Sequence, residues 1–166
     1  MTEFIVFDRD SLLKNVIKEQ GDIICRGQIY QEIIDDALKN FTIGFANVIE
    51  KAQQGKKRQR KADRIQVTSF SLLSVFSSST IYKELYIILI CNTKNRLGEG
   101  SELISHIIDY AKENKYSRLS LLSLNEKSLL DWYLQHGFKI IQTIYQGSEV
   151  KAIKLAIDFN FEQVTC

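Results

Sequence analysis

Two glycines spaced G-x-G, Gly98 and Gly100, carry the chemistry most legible in this chain. They lie in Asn95-Arg96-Leu97-Gly98-Glu99-Gly100-Ser101, between a long β-prone run and a segment whose apolar residues recur with helical spacing. At such a junction glycine lets the backbone pass close to a ligand. The first N–H groups of a helix have no carbonyl partner within it, and the aligned peptide dipoles add partial positive charge there. That combination binds a phosphate or diphosphate. Lys94 and Arg96 flank the turn and could add charge-assisted contacts. Two phosphate-binding motifs are excluded. No Gly-Lys-Ser/Thr follows, and the third glycine and downstream acid of a dinucleotide fingerprint are missing. A tight turn that does no more than start a helix is the plainer reading of the glycines alone.

The elements that must position this turn follow from periodicity. Ile81 to Cys91 is almost continuously apolar at its centre and predicts a central strand buried on both faces. After the turn, Leu103, Ile104, Ile107, Ile108 and Ala111 share one helical face. Leu119 to Leu124 predicts a strand, and Asn125 or Ser128 is expected to open a helix that Gly137 closes. Lys139 to Tyr145 and Val150 to Ile157 predict a closing hairpin over Gln146-Gly147-Ser148. Upstream, Phe4 to Phe7 predicts a strand, and Leu12 to Glu19 a helix capped by Asp8, Asp10 or Ser11 and ended by Gly21. Tyr30 to Leu38 predicts a second helix, and Phe41 to Ile49 and Ile65 to Phe76 further strands.

Between them, at about 53–64, Lys56, Lys57, Arg58, Arg60, Lys61 and Arg64 crowd into one basic segment, expected to be an exposed mobile loop. It would serve an acidic partner, nucleic acid, an acidic membrane surface or nuclear import, or simply be solvated.

The turn and a second segment together resemble the GNAT superfamily of acetyl-CoA-dependent N-acetyltransferases. That family's first motif is Arg/Gln-x-x-Gly-x-Gly/Ala after a long strand, and the chain matches from Asn95 to Ser101. Asn95 replaces the usual Arg or Gln, and Glu99 stands where an aliphatic residue is common. A carboxylate beside a diphosphate repels it, so the Glu99 side chain is expected to face away or pair with a lysine. The second segment, Leu129 to Phe138, ends in Tyr133-x-x-x-Gly137-Phe138 as the family's later motif does. Asn125 falls one residue out of register with the family's asparagine, which leaves it the role of helix N-cap.

The resemblance implies an α/β (α+β) fold. It would be a mixed, mostly antiparallel sheet of about six to seven strands flanked by about four helices, with 1–166 a single domain. It implies acetyl-CoA as co-substrate, with no metal. The backbone of Ile88, Leu89 and Ile90 would hold the pantetheine arm, and Asn95, Arg96, Leu97, Gly98, Glu99, Gly100 and Ser101 the diphosphate. Glu84, an even number of residues before Ile90 and so on the same strand face, becomes the candidate base. Its alternative is an exposed residue at the strand's start. Tyr133 becomes the candidate acid for the leaving thiolate, with packing as its alternative.

The implied reaction is direct acetylation of a primary amine, on a protein lysine or N-terminus. The alternatives are a small amine, such as a polyamine or aminoglycoside, and a non-catalytic module that binds CoA or a partner. The only acid clusters, Glu32-Asp35-Asp36 and Glu99-Glu102, are not obviously placed for a polycationic acceptor, which tilts the reading to protein.

Composition agrees with an ordinary globular chain: 45% hydrophobic and 25% charged residues, net charge +2. No global field points to nucleic acid or membrane. The sequence starts with acids and lacks a long apolar core there, so no secretory signal is expected. Its most apolar run, Leu85 to Ile90, is too short to cross a bilayer. Cys25, Cys91 and Cys166 are odd in number and widely spaced, so neither a structural zinc nor a disulfide framework is expected. A reducing intracellular location follows, cytoplasmic, or nuclear if the basic segment is an import signal.

Overall fold

The computed structural model describes residues 3–25, 31–50, 64–78, 81–92 and 98–159, apart from the side chains of Asp22 and Ile23. The strands are β1 (Glu3–Phe7), β2 (Ile43–Glu50), β3 (Ile65–Ser77), β4 (Lys83–Asn92), β5 (Arg118–Ser123), β6 (Lys139–Gln146) and β7 (Glu149–Asp158). The helices among the described residues are α1 (Leu13–Cys25), α2 (Gln31–Asn40), α3 (Glu99–Glu113) and α4 (Lys127–Gln135). One seven-stranded sheet has the order β1-β2-β3-β4-β5-β7-β6. β4 and β5 run parallel, and the ladders β1–β2, β2–β3, β5–β7 and β6–β7 are antiparallel. This is the mixed, mostly antiparallel architecture that the sequence implied.

The chain divides into two compact units, Met1–Ser74 with Ile88–Leu103, and Val75–Ile87 with Ile104–Cys166. In the first, Val16, Ile17 and Ile24 of α1 and Ile34, Ala37 and Leu38 of α2 bury against Ala46, Val48, Val67, Phe70, Leu72 and Leu89. Ser11 starts α1, its hydroxyl accepting the Leu13 N–H at 3.2 Å. Gly21 does not end that helix, which continues to Cys25. A Cβ at Gly21 would stand 3.1 Å from Ile34 Cδ1, so the missing side chain serves close packing of α1 on α2. Gln20 grips the start of β3 with both ends of its amide, giving Nε2–H to Ile65 O and accepting the Val67 N–H, each at 2.9 Å.

Gly44 is the tightest glycine. It pairs with Phe7 across the β1–β2 ladder, and a Cβ there would lie 2.2 Å from Phe7 Cζ. Gly44→Ala is therefore expected to cost about 2–3 kcal/mol of stability by overpacking. It should appear as a lower urea midpoint with an unchanged m-value. A midpoint equal to wild type would mean that the ring moves aside freely.

Cys25 and Cys91 form a disulfide, with Cα atoms 5.1 Å apart. This overturns the expectation that the wide cysteine spacing left these thiols unpaired. The last residue of α1 and the penultimate residue of β4, distant in sequence, meet in the same core.

In the second unit, β5 pairs with β7 from Arg118↔Asp158 to Ser123↔Ile153. The β6–β7 hairpin turns over Gly147, whose φ is +64°, as the sequence predicted. The β6 register shifts twice against β7, between Ile140 and Gln142 and between Ile144 and Tyr145. Leu85, Ile87, Leu119, Leu121, Ile153, Leu155 and Ala156 are buried.

Burial along the long strands differs from expectation. β4 alternates, with Leu85, Ile87, Leu89 and Cys91 buried and Tyr86, Ile88 and Ile90 only half-buried. Strands buried on both faces are instead β2, continuous from Gly44 to Val48, and β3, continuous from Val67 to Leu73. An apolar run alone does not tell a doubly covered strand from one that keeps an open apolar face.

Candidate active site

The structure begins α3 at Glu99, directly after Gly98, whose φ is +84°. That left-handed conformation strains any residue with a Cβ. The first helical bond, Glu102 N–H to Gly98 O at 3.0 Å, makes Gly98 the cap. The N–H groups that precede it in the turn thus have no intrahelical acceptor. Among the described residues, nothing beyond its chain neighbours approaches within 4 Å of the place where a Gly98 side chain would stand. Lys94, Asn95, Arg96 and Leu97 lie outside the described residues, as do Lys56, Lys57, Arg58, Arg60 and Lys61 of the basic segment.

Glu99 turns inward and is only 7% exposed. Its Oε1 accepts from Thr68 Oγ1 and, at 3.3 Å, from Ser69 Oγ, both on β3. Asn47 Nδ2 in turn donates to Ser69 Oγ at 2.9 Å. The side chain therefore faces inward, in line with the expectation that it turns away from the diphosphate, and binds hydroxyls that the sequence did not single out. The sequence predicts a strand over Ile65 to Phe76 and singles out none of these hydroxyls. Polar residues within that run were the available signal. A third, Ser71, donates to Leu89 O at 2.9 Å and pins the half of β4 that precedes the turn.

The described β4–β5 register runs from Glu84↔Arg118 to Ile87↔Leu121. β4 itself continues through Ile88, Leu89 and Ile90 to Asn92.

Glu84 is neither exposed nor free, its side chain being 12% accessible. Tyr82 Oη donates to Oε1 and Ser120 Oγ to Oε2, each at 2.8 Å, while Lys154 Nζ stands 3.9 Å from Oε2. Burial, then the bond to Glu84, raises the Tyr82 phenol above its ordinary pKa. Nearby, Arg118 pairs with Asp158 through Nε at 2.6 Å and Nη2 at 3.3 Å. Two bonds leave lone pairs on the Glu84 oxygens, since an ionised carboxyl offers about four.

Tyr133 is fixed by the end of α4. Gly137 takes φ +99°, Phe138 N–H bonds to Tyr133 O at 3.2 Å and Gly137 N–H to Leu134 O at 3.1 Å. That is a Schellman cap, and its usual apolar contact is the Tyr133–Phe138 ring pair, 5.6 Å between centroids. The Tyr-x-x-x-Gly-Phe spacing is thus a helix stop that places the tyrosine. Burial pushes the Tyr133 phenol up to about 12. His136 bonds through Nδ1 to Trp132 O at 2.7 Å, at the helix C-terminus. Asn125 does not cap α4. The N-cap is Glu126, without a side-chain cap bond.

No protein-family model matches the sequence. Solved structures do. The ribosomal-protein-S18-alanine N-acetyltransferase from Escherichia coli superposes with TM-score 0.67 at 14% identity, over 100% of this chain and 99% of the other. Arabidopsis thaliana NAA60 in complex with acetyl-CoA gives 0.66 at 12% identity, over 97% and 100%. An aminoglycoside 6'-acetyltransferase type Ii gives 0.60 at 13%, over 94% and 96%. The fold of this chain is that of the GNAT acetyltransferases.

Proposed function

We propose that residues 1–166 act as one acetyltransferase domain that moves the acetyl group of acetyl-CoA to a primary amine by direct attack in a ternary complex. The observation that carries this reading is the Gly98 turn. It presents the start of α3 in a left-handed glycine conformation while the Glu99 carboxylate is buried away from it. Backbone groups of Gly98 to Ser101 bind the diphosphate, with Asn95, Arg96 and Leu97 completing the loop. Ile88, Leu89 and Ile90, where β4 continues beyond Ile87, its last residue in register with β5, hold the pantetheine arm. The thioester supplies an activated acetyl group, and no metal takes part.

Glu84 is the base. A lysine-type amine with pKa near 10.4 costs about 4–5 kcal/mol to deprotonate at pH 7. A base that takes its proton recovers about 10²–10⁴ in rate. Ser120 and Tyr82 orient the carboxylate, which keeps lone pairs for the amine or an intervening water. Glu84→Gln should lower kcat/KM at pH 7 by about 10²-fold. The remaining rate should climb about tenfold per pH unit with the neutral amine. An unchanged pH profile would leave Glu84 a purely structural role.

The acceptor we favour is a protein lysine or N-terminal amine. Supporting it, one structural neighbour acts on an alanine of a ribosomal protein; another, an aminoglycoside acetyltransferase, represents the small-amine alternative. Thiol release from acetyl-CoA, followed against free-N-terminus peptides, lysine peptides, polyamines and aminoglycosides, decides between them. Release only with small amines would replace the protein acceptor. CoA binding without release on any amine would favour a non-catalytic module. The site of action we favour is intracellular, cytoplasmic, or nuclear if the basic segment is an import signal; the Cys25–Cys91 disulfide removes cysteine usage as support for a reducing compartment. No described helix is long and apolar enough to cross a membrane.

A further inference from the structure

The first residue of α3 is tied to the sheet by an arrangement that a regular strand could not provide. In β3, Thr68 and Ser69 are neighbours, and neighbours on a strand face opposite sides. Both nevertheless reach the same Glu99 oxygen. The β2–β3 register explains how. Asn47 pairs with Ser69 and Val48 with Val67, which leaves Thr68 as an extra residue in a bulge. A bulge re-aims a side chain, and here it turns the Thr68 hydroxyl to the face that Ser69 occupies.

Thr68 Oγ1 also lies 3.2 Å from Asn47 O, but it has one proton to give. The Glu99 oxygen, which Ser69 also reaches, takes it. Asn47, Thr68, Ser69 and Glu99 are all buried. Negative charge at the first turn of α3 is further favoured by the helix dipole. An aliphatic residue at this position would hold by packing, which sets no direction. A carboxylate bound by two hydroxyls fixes both distance and angle, one residue from Gly98 and one from Gly100.

We infer that Glu99, clasped by Thr68 and Ser69 at the β3 bulge, is a positioning residue that sets the Gly98–Gly100 turn for the diphosphate of CoA. It acts through the backbone and touches no ligand. The inference rests on the CoA-binding reading above. Its test is titration of the full chain with CoA and with pantetheine, which shares the arm but lacks the diphosphate.

Thr68→Val keeps shape and removes the donor. It should weaken CoA about tenfold or more and pantetheine less than twofold. Ser69→Ala, which loses the longer bond, should give a smaller CoA-selective loss if Thr68→Val does not fold. Equal losses for CoA and pantetheine would show general loosening and overturn the inference, as would unaltered CoA affinity. Wild type that binds no CoA would instead remove the functional reading itself, and this inference with it.

Discussion

Cys91→Ala is expected to lower the melting temperature by about 10 °C. The Cys25–Cys91 bond closes a loop with a sequence separation of 66. Cross-linking a loop of that size removes denatured-state entropy worth roughly 4 kcal/mol. For a chain of this length each kcal/mol moves the midpoint by about 2–4 °C. Both cysteines are buried in the first unit's core, so the alanine leaves a small void in addition. Dithiothreitol should bring wild type down to just above the variant's midpoint, the remaining gap being the void, and leave the variant where it is. The unreduced, denatured wild type should titrate one thiol of its three cysteines. Three titratable thiols, with a midpoint indifferent to reductant, would show that the bond does not form in solution.

Tyr133→Phe is expected to lower kcat about 10²-fold with little change in acetyl-CoA affinity. The phenol is 6% exposed and its pKa stands near 12, against about 8.5 for a thiol. Full proton transfer from it to a thiolate would climb about 5 kcal/mol, so the role we propose for Tyr133 is that of a hydrogen-bond donor to the leaving sulfur. Loss of such a donor is worth about 3 kcal/mol in the transition state. An equal kcat in the phenylalanine variant would return Tyr133 to packing alone. The same burial makes a pH statement. The folded pKa lies above the unfolded value of 10, so the contribution is fully present below pH 10 and is lost as pH rises through about 12. It amounts to about 2–3 kcal/mol. The phenylalanine variant should therefore show a flatter alkaline unfolding profile.

What could be read from sequence, and what could not, divides along physical lines. Strands, helices and the β6–β7 hairpin follow from local periodicity and turn residues, and the Tyr133–Phe138 spacing announces its helix stop. Gly21 misled because a glycine that ends a helix and a glycine that admits a neighbouring side chain look alike in sequence. Only the Ile34 contact tells them apart. The disulfide was invisible because cysteine spacing carries no information about which strand end meets which helix end. The clasp on Glu99 required knowing that β3 carries an extra residue opposite β2, a matter of register between segments. The setting of Glu84 was hidden for the same reason, since Ser120 and Lys154 come from elements far along the chain.

The outermost strand bears on handling of the protein. β6 flanks β7 alone, and Ile140, Ile141 and Tyr145 stand out from it, the last at 62% exposure. A flat ribbon with greasy side chains is a template on which other molecules nucleate. The two register slips against β7 kink that ribbon, so the colloidal margin of concentrated solutions rests on them. Straightening β6 by deleting Ile141 would trade a tidier ladder for a stickier rim.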